Sequence, residues 1–318
     1  MANAVLTAPH FQNEEAAFAY VEAKLWPNGP VCPHCGNDDQ SKIGRLQGKT
    51  TRPGLYKCYA VNGTGDERMP CRKPFTVRIG TIFEDSHLAL HLWLQVIHLF
   101  ACSKKGISTR QIQRMLQCSM KTAWFLGMRI RLAMDPSAAE PMGGAGKTVE
   151  ADETELARSR KTKRPEGFRR STHNPKVLSL VERGGNLRSV TLDHRGVGKH
   201  LRAMVHADSR LVTDQAQHYK FRGFAQHDSV DHSKFEWSRG DIHTNTLEGF
   251  FSVLKRGLVG VYQHVDKHHL DRYLAEFDFR HNNREKLGIN DTQRAELALK
   301  GMVGKRLTYG TVEEAPPF

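Results

Sequence analysis

The sequence predicts an α/β protein: a mixed β-sheet with flanking helices in the second half, preceded by a small cysteine-bearing ribbon and a helical region. Three observations carry this. Past residue 147, Val-rich segments are joined first by a Gly-Gly turn and then by a helical stretch, an order that builds a mixed sheet. Cys32 and Cys35 stand at CxxC spacing, with Cys58 and Cys71 downstream. Between the two regions, apolar residues recur at helical spacing in successive short stretches.

Composition narrows the partners. The 318 residues are 39% hydrophobic and 25% charged, an ordinary globular balance. That length has room for two or three domains with cores of their own. The 47 Lys and Arg against 34 Asp and Glu leave a net charge of +13, which points to a polyanionic partner, most often nucleic acid. The most apolar run, residues 88–102, is broken by His91, Gln95 and His98 and falls short of the ~20 residues of a bilayer span. The N-terminal stretch MANAVLTAPHFQNEEAAFAY lacks a basic region followed by an apolar one, so no secretory signal is read there. A cytoplasmic location is therefore expected, with cysteines serving as metal ligands or core residues.

Residues 10–27 read as a helix with Phe11, Ala16, Ala17, Tyr20, Val21 and Leu25 on its apolar stripe, closing an N-terminal segment 1–27. The ribbon, 28–80, opens on VCPHCGN. A CxxC knuckle followed by Gly lets backbone amides approach two thiolates bound to one ion. Cys58 and Cys71 complete the expected zinc set of Cys32, Cys35, Cys58 and Cys71, with YAVNGTGDERMP looping out between them. The spacing CxxC-x22-C-x12-C is looser than two CxxC pairs. It leaves open two free, partly buried thiols, and His34 as a rival ligand. After Cys71, RKPFTVRIGTIFEDS alternates as a strand pair would.

Residues 81–135 are helical. The 88–102 helix is broken by Lys104-Lys105-Gly106; Ser108-Thr109 cap RQIQRMLQ, and a turn at Cys118 leads into MKTAWFLGMRIRLAM. Two helices joined by a tight turn after a third form the helix-turn-helix pattern. It would present Lys121 to DNA, with Arg110 and Arg114 near phosphates. A plain three-helix bundle with a solvated basic face fits the same pattern. Cys102 and Cys118 lack metal spacing and are expected as small core residues.

A boundary falls in DPSAAEPMGGAG, with the linker at 136–147. The α/β region, 148–287, begins with TVEADETE, a strand carrying Asp152 at its middle. Asp is depleted from strand interiors, and an ionised carboxylate is costly to bury unless a cation meets it. After a basic loop, SRKTKRPEGFRRSTHNPK, come strands at 177–182 and 187–192, a helix at 197–205 and a strand at 209–213 that brings Asp214 to its carboxyl end. Open α/β sheets place their sites at such ends. A helix from about residue 244 carries Glu248 and, two turns on, Lys255, so the two share a face. Three acids so distributed suit Mg²⁺, which favours a few carboxylate oxygens with water and substrate phosphate, and a pair of such ions suits in-line phosphodiester chemistry. Asn245 and Glu248, three apart, equally mimic a capping box. A last helix spans 267–283, and the tail 288–318 is weakly patterned and expected to fray.

The segments VCPHCGN, KPFTVRIGTIFEDSHLALHLW, ISTRQIQRMLQCSMKTAW, VEADETE and HTNTLEGFFSVLKRGLVGVYQHVDKHHLDRYLAEFDFRHNNR together resemble insertion-sequence transposases of the DDE type. The group resembled has an N-terminal zinc ribbon and an RNase H-like catalytic domain (ISXO-like transposases). The resemblance implies Asp152, Asp214 and Glu248 as a triad binding Mg²⁺ or Mn²⁺, Lys255 as an accompanying DNA contact, and Zn²⁺ in the ribbon. It implies double-stranded DNA, both terminal repeats and target, as partner, and a homodimer or higher assembly on DNA. Two departures stand: the Cys58–Cys71 stretch is longer than the usual knuckle, and some members place Asn in the third catalytic position, making Asn245 a competitor of Glu248. The function expected is metal-dependent strand cleavage and strand transfer. The alternatives are a DNA-binding regulator with a catalytically inactive C-terminal half, or another RNase H-like nuclease.

Overall fold

The computed structural model describes residues 4–63, 69–136, 140–156, 174–193, 196–214, 223–230, 234 and 238–308. Most of the basic loop after the first α/β strand, the centre of the Cys58–Cys71 insert and the terminal EEAPPF lie outside them. The chain forms two compact units. The first gathers residues up to Ser103, Thr109–Met134 and the segment from Ile289; the second comprises Lys104–Ser108 and Asp135–Gly288.

In the first unit, Pro9–Gln12 (α1) and Glu14–Leu25 (α2) replace the single helix expected over 10–27. Asn13 separates them in an extended conformation, its side chain accepting the Ala16 amide, with Glu14 and Glu15 in the first turn of α2. The ribbon is a three-stranded antiparallel sheet of Ile43–Arg45 (β1), Tyr56–Cys58 (β2) and, beyond the small hairpin of Val61–Asn62 (β3) and Met69–Pro70 (β4), Pro74–Phe75 (β5). The strand pair expected after Cys71 is thus confined to β5. Past it the Thr81 hydroxyl donates to the Arg78 carbonyl, and the Thr76, Thr81 and Ser86 hydroxyls accept nearby amides. Such local bonds favour turns over a ladder.

Leu90–Cys102 (α3) is buried on most sides. Its N-terminus is capped from a distance by Glu14, whose carboxylate accepts the Leu90 and His91 amides and pairs with Arg78. Thr109–Leu116 (α4) and Met120–Met134 (α5) follow, joined at Gln117, left-handed with φ 50°, and through Ser119, whose hydroxyl accepts the Thr122 amide. The end of α5 is anchored by the buried Arg129, which donates to the Ile82, Glu84 and Leu307 carbonyls. Contrary to expectation, Cys102 is exposed and Cys118 half-buried, so neither is a core residue; Cys102 ends α3, and Cys118 lies in the turn between α4 and α5.

The second unit is a five-stranded mixed sheet. Thr148–Glu155 (β6), Lys176–Glu182 (β7) and Leu187–Thr191 (β8) run antiparallel. Val197–Met204 (α6) then crosses over to Arg210–Asp214 (β9), parallel to β6, and Gln226–Val230 (β10) adds parallel to β9. The spatial order is β10-β9-β6-β7-β8. One face packs Val149, Ala151, Leu178, Leu180 and Leu211 with Val197 and Leu201 of α6. The other packs Val177, Val181 and Leu187 against Asn245–Gly257 (α7) and Leu270–Asn282 (α8).

The segment from Gly288 does not stay loose. Asp291–Lys300 (α9) starts with a capping box of Asn290 and Gln293 and returns to the first unit beside α3, where buried Arg294 donates to the Ala101 carbonyl. Its buried residues are Arg294, Ala298 and Leu299, too few apolar ones to declare a stripe. Among the described residues, no helix is long and apolar enough to cross a membrane.

Asp278 of α8 ties that helix to β8: its carboxyl oxygens accept the Ser189 amide at 2.6 Å and hydroxyl at 2.8 Å. Burial pushes it up to about 8, and the Asp135 charge adds to this against the Ser189 hydrogen bonds and Arg188. A carboxyl raised by the fold binds its proton more tightly native than unfolded, so its contribution is full below the unfolded value near 3.8 and is lost as pH rises to about 8. Asp278→Asn should abolish that slope: urea unfolding midpoints at pH 5 and pH 8 should differ less in the variant than in the parent. An unchanged pH dependence would dismiss the assignment.

Candidate functional site

The ribbon cysteines form a metal centre. Cys32 and Cys35 come from the knuckle, Cys58 ends β2, and Cys71 precedes β5. Their four sulfurs lie within 4.8 Å of one another, with Cys32–Cys71 at 3.8 Å and Cys35–Cys58 at 3.6 Å. Tetrahedral zinc with bonds of about 2.3 Å puts sulfurs roughly 3.8 Å apart, so the set fits that ion. Tyr56, Ala60 and Phe75 wall the site with apolar surface. The Ala60 amide points to the Cys58 sulfur at 3.5 Å, a bond that favours thiolate. His34 is turned away, its Nε2 3.3 Å from the Pro74 carbonyl. The long insert is absorbed by the β3–β4 hairpin, which leaves Cys71 in reach.

The second site is on the sheet. Residues directly opposite in neighbouring strands share a face. Asp152 faces Ser179, which lies between Val177 and Val181, so it belongs to the face covered by α7 and α8. Parallel pairing of Thr148 with Arg210 and Glu150 with Val212 puts Asp214, like Asp152, two residues past the last paired position, and on the same face. Glu248 stands exposed in the first turn of α7, the helix packed on that face. Burial raises Asp152 to about 7, against a hydrogen bond from the Glu153 amide, and the charges of Asp214, Glu153 and Glu248 push the same way. The three carboxylates are therefore electrostatic neighbours. Among the described residues only the cysteine set brings three or more ligand atoms within 4.8 Å of one another; the acids stand near each other without that closeness.

Lys255 is exposed two turns along α7. Asn245 does not cap the helix: Thr244 is the N-cap, with no side-chain cap bond, and Asn245 is the first helical residue, also exposed. The capping-box reading of Asn245 and Glu248 therefore fails. In the first unit, Arg110 and Arg114 on α4 and Lys121 at the start of α5 are all exposed.

The sequence reading misses the support beneath the acids. Glu150, two residues before Asp152, is wholly buried, its Oε1 paired with Arg183 Nε at 2.8 Å and approached by Thr246 Oγ1 at 3.4 Å and His243 Nδ1 at 3.7 Å. Arg183 also reaches the His243 carbonyl and Asp241, which pairs with Arg210, and Arg210 pairs with Asp228 at 2.7 Å. This chain of charges seats the segment entering α7 against β6 and β9. The available signal was a second acid at even spacing in TVEADETE, which in a half-buried strand points to the same face as Asp152.

One outcome follows for the metal centre. The purified protein should carry about one zinc per chain, and Cys35→Ser should lose it and unfold the ribbon, because binding energy at such sites is folding energy. Full zinc retention by the variant in elemental analysis would sink the site.

Comparison with known proteins finds matches over both regions. Residues 143–282 match the family profile described as ISXO2-like transposase domain, and residues 12–61 match a transposase zinc-ribbon domain. An uncharacterized protein in transposable element ISH50 of Halobacterium salinarum is 26% identical over 293 residues, covering 85% of this chain and 91% of that protein. No solved structure matches. With one profile on the zinc ribbon and the other on the mixed sheet, the chain resembles insertion-sequence transposases in both regions.

Proposed function

We propose that the protein is a DNA transposase that binds the terminal repeats of an insertion sequence and catalyses metal-dependent strand cleavage and strand transfer. What supports this is the placement of Asp152 and Asp214 on the sheet face under α7, near enough to each other and to Glu248 for their charges to add to the burial that raises Asp152. The strand order supports an RNase H-like reading: three antiparallel strands, then two parallel ones added beside the first.

Asp152, Asp214 and Glu248 supply hard anionic oxygens of the kind Mg²⁺ or Mn²⁺ takes. When bound, such ions activate a water or 3′-hydroxyl and stabilise the leaving oxygen of an in-line displacement. Glu248 is favoured over Asn245 because its charge bears on Asp152, which a neutral amide cannot do. Lys255, on the same helix, is placed to hold a phosphate. The α4–turn–α5 element is read as a helix-turn-helix: its exposed Arg110 and Arg114 contact phosphates, and Lys121 enters a groove. The domains are then ribbon 28–80, helix-turn-helix 81–135 and catalytic domain 148–287, working in the cytoplasm as a homodimer or higher assembly on DNA.

Two sets of variants separate binding from chemistry. Asp152→Asn and Glu248→Gln should bind terminal-repeat DNA as the parent does and lose cleavage and joining by orders of magnitude, while Asn245→Ser stays largely active. An active Glu248→Gln beside a dead Asn245→Ser reverses the assignment. Arg114→Ala and Lys121→Ala should weaken repeat binding, and the salt dependence should fall by about one unit of slope per lost phosphate contact. A parent that binds repeats but never nicks DNA with either metal would instead favour the inactive-regulator reading.

A further inference from the structure

In β7, Ser179 is a hydroxyl set among Val177, Leu178, Leu180 and Val181, and it is wholly buried. A hydroxyl so placed is costly unless it is hydrogen-bonded. Its partner is Ser189, directly opposite on β8, with the two hydroxyl oxygens 2.8 Å apart. Ser189 in turn meets Asp278 of α8, Oγ to Oδ1 at 2.8 Å and amide to Oδ2 at 2.6 Å. On the other side of Ser179, the residue directly opposite on β6 is Asp152. Opposite residues of an antiparallel pair share a face and hold their Cβ atoms about 4.5–5.5 Å apart. Asp152, Ser179, Ser189 and Asp278 therefore stand in one row across the face covered by α7 and α8, from the acid site to a buried carboxyl.

The row has a direction, and Asp278 sets it. The charged groups that bear on Asp278 are Arg188 of β8 and Asp135; burial and the Asp135 charge push its carboxyl up to about 8, against the Ser189 hydrogen bonds and Arg188. At neutral pH it keeps its proton. Oδ2 accepts the Ser189 amide, so a proton on Oδ1 is donated to the Ser189 oxygen. The Ser189 hydroxyl then donates to Ser179, and the Ser179 hydroxyl is left to donate to the next group in the row, Asp152. When Asp278 is ionised it accepts from Ser189, which accepts from Ser179, and both hydroxyls point away from Asp152. Each serine keeps its own proton and rotates; the proton released is that of Asp278, to solvent.

We propose that the row Asp278–Ser189–Ser179 orients the Asp152 carboxylate for its cation, with Ser179 as hydrogen-bond donor to Asp152 and Asp278 as the positioning residue that sets the direction of the row. The proposal rests on the reading of Asp152 as a cation ligand and adds what holds that ligand in place. Asp152 gives Oδ1 to the Glu153 amide at 2.7 Å. The Ser179 bond is the one that ionisation of Asp152 adds, fixing the carboxylate from the side of β7. Tying α8 to the sheet does not explain Ser179, because the Ser189 amide and hydroxyl already engage both oxygens of Asp278.

Mn²⁺ binding to the zinc-loaded, full-length protein, followed by the electron paramagnetic resonance signal of the free ion, tests this without DNA. Ser179→Ala should keep its zinc and bind Mn²⁺ about tenfold more weakly than the parent at pH 6.5, as expected when a carboxylate ligand loses its hydrogen-bond partner. An Asn side chain at 278 accepts the Ser189 amide and donates to the Ser189 oxygen at every pH. Asp278→Asn should therefore bind Mn²⁺ about threefold more tightly than the parent at pH 8.5, where most of the parent's row has reversed, and that advantage should vanish at pH 6.5. A misfolded variant cannot produce the tighter binding. In the Ser179→Ala background, Asp278→Asn should change nothing, because both act through one contact. Parental binding by Ser179→Ala, or an Asp278→Asn variant that tracks the parent at both pH values, overturns the row and leaves the cation site standing. Mn²⁺ binding that Asp152→Asn does not weaken overturns the cation reading, and the row with it.

Discussion

The parallel pairing of β6 with β9 is the constraint on which the second unit depends. It is short, running from Thr148 opposite Arg210 to Glu150 opposite Val212. Because side chains alternate with a period of two, a slip of one residue would send Asp214 to the α6 side while Asp152 stayed under α7. The register is held from both directions. Val149 and Leu211 are fully buried with Leu201 of α6, and Glu150 is locked to Arg183 on the opposite face. Apolar burial and a buried ion pair thus specify the same alignment.

That arrangement carries a cost in electrostatics. Glu150 has no exposed surface, and its Oε2 lacks a hydrogen-bond partner among the described residues. A lone buried charge is heavily penalised, whereas one matched by a guanidinium is tolerated and serves more to define geometry than to add stability. Asp152, above it, is raised to about 7 by burial and by its acidic neighbours. The sheet therefore gathers like charge at one point, with Arg183 paired to Glu150 beneath it. Perturbation of this kind is common where ionisable groups are assembled for a task.

Legibility in the sequence followed how local each signal was. β7 was readable because it is almost continuously apolar, and β6 because Val149 and Ala151 alternate with its acids ahead of a turn-rich stretch. β10 was not: QHDSV is polar and edge-positioned, and it becomes a strand only because β9 offers it a free edge. Asn13 divides α1 from α2 with one side-chain bond, which composition cannot distinguish from a continuing helix. The cysteine set was legible from spacing alone, but which of them close on one another required the β3–β4 hairpin to fold the insert away. The acids Asp152, Asp214 and Glu248 were each individually unremarkable in sequence. Their common face follows from strand register, and the Glu150–Arg183–His243 support depends on contacts far apart in the chain.

The return of α9 to the first unit has a bearing on the order of events at the ribosome. Arg294 donates into the end of α3, and Gly301 lies so close to the Ala133 carbonyl that a Cβ would come within 2.3 Å of it. The unit that contains the zinc ribbon and α4–α5 is therefore built from the first and last stretches of the described chain, with the sheet unit inserted between them. During N-to-C synthesis, the sheet unit has all of its residues before α9 has emerged. The first unit cannot lay down its α3–α9 packing until translation has passed Gly301. The polypeptide thus acquires its carboxylate-bearing sheet while the other unit still lacks its closing helix.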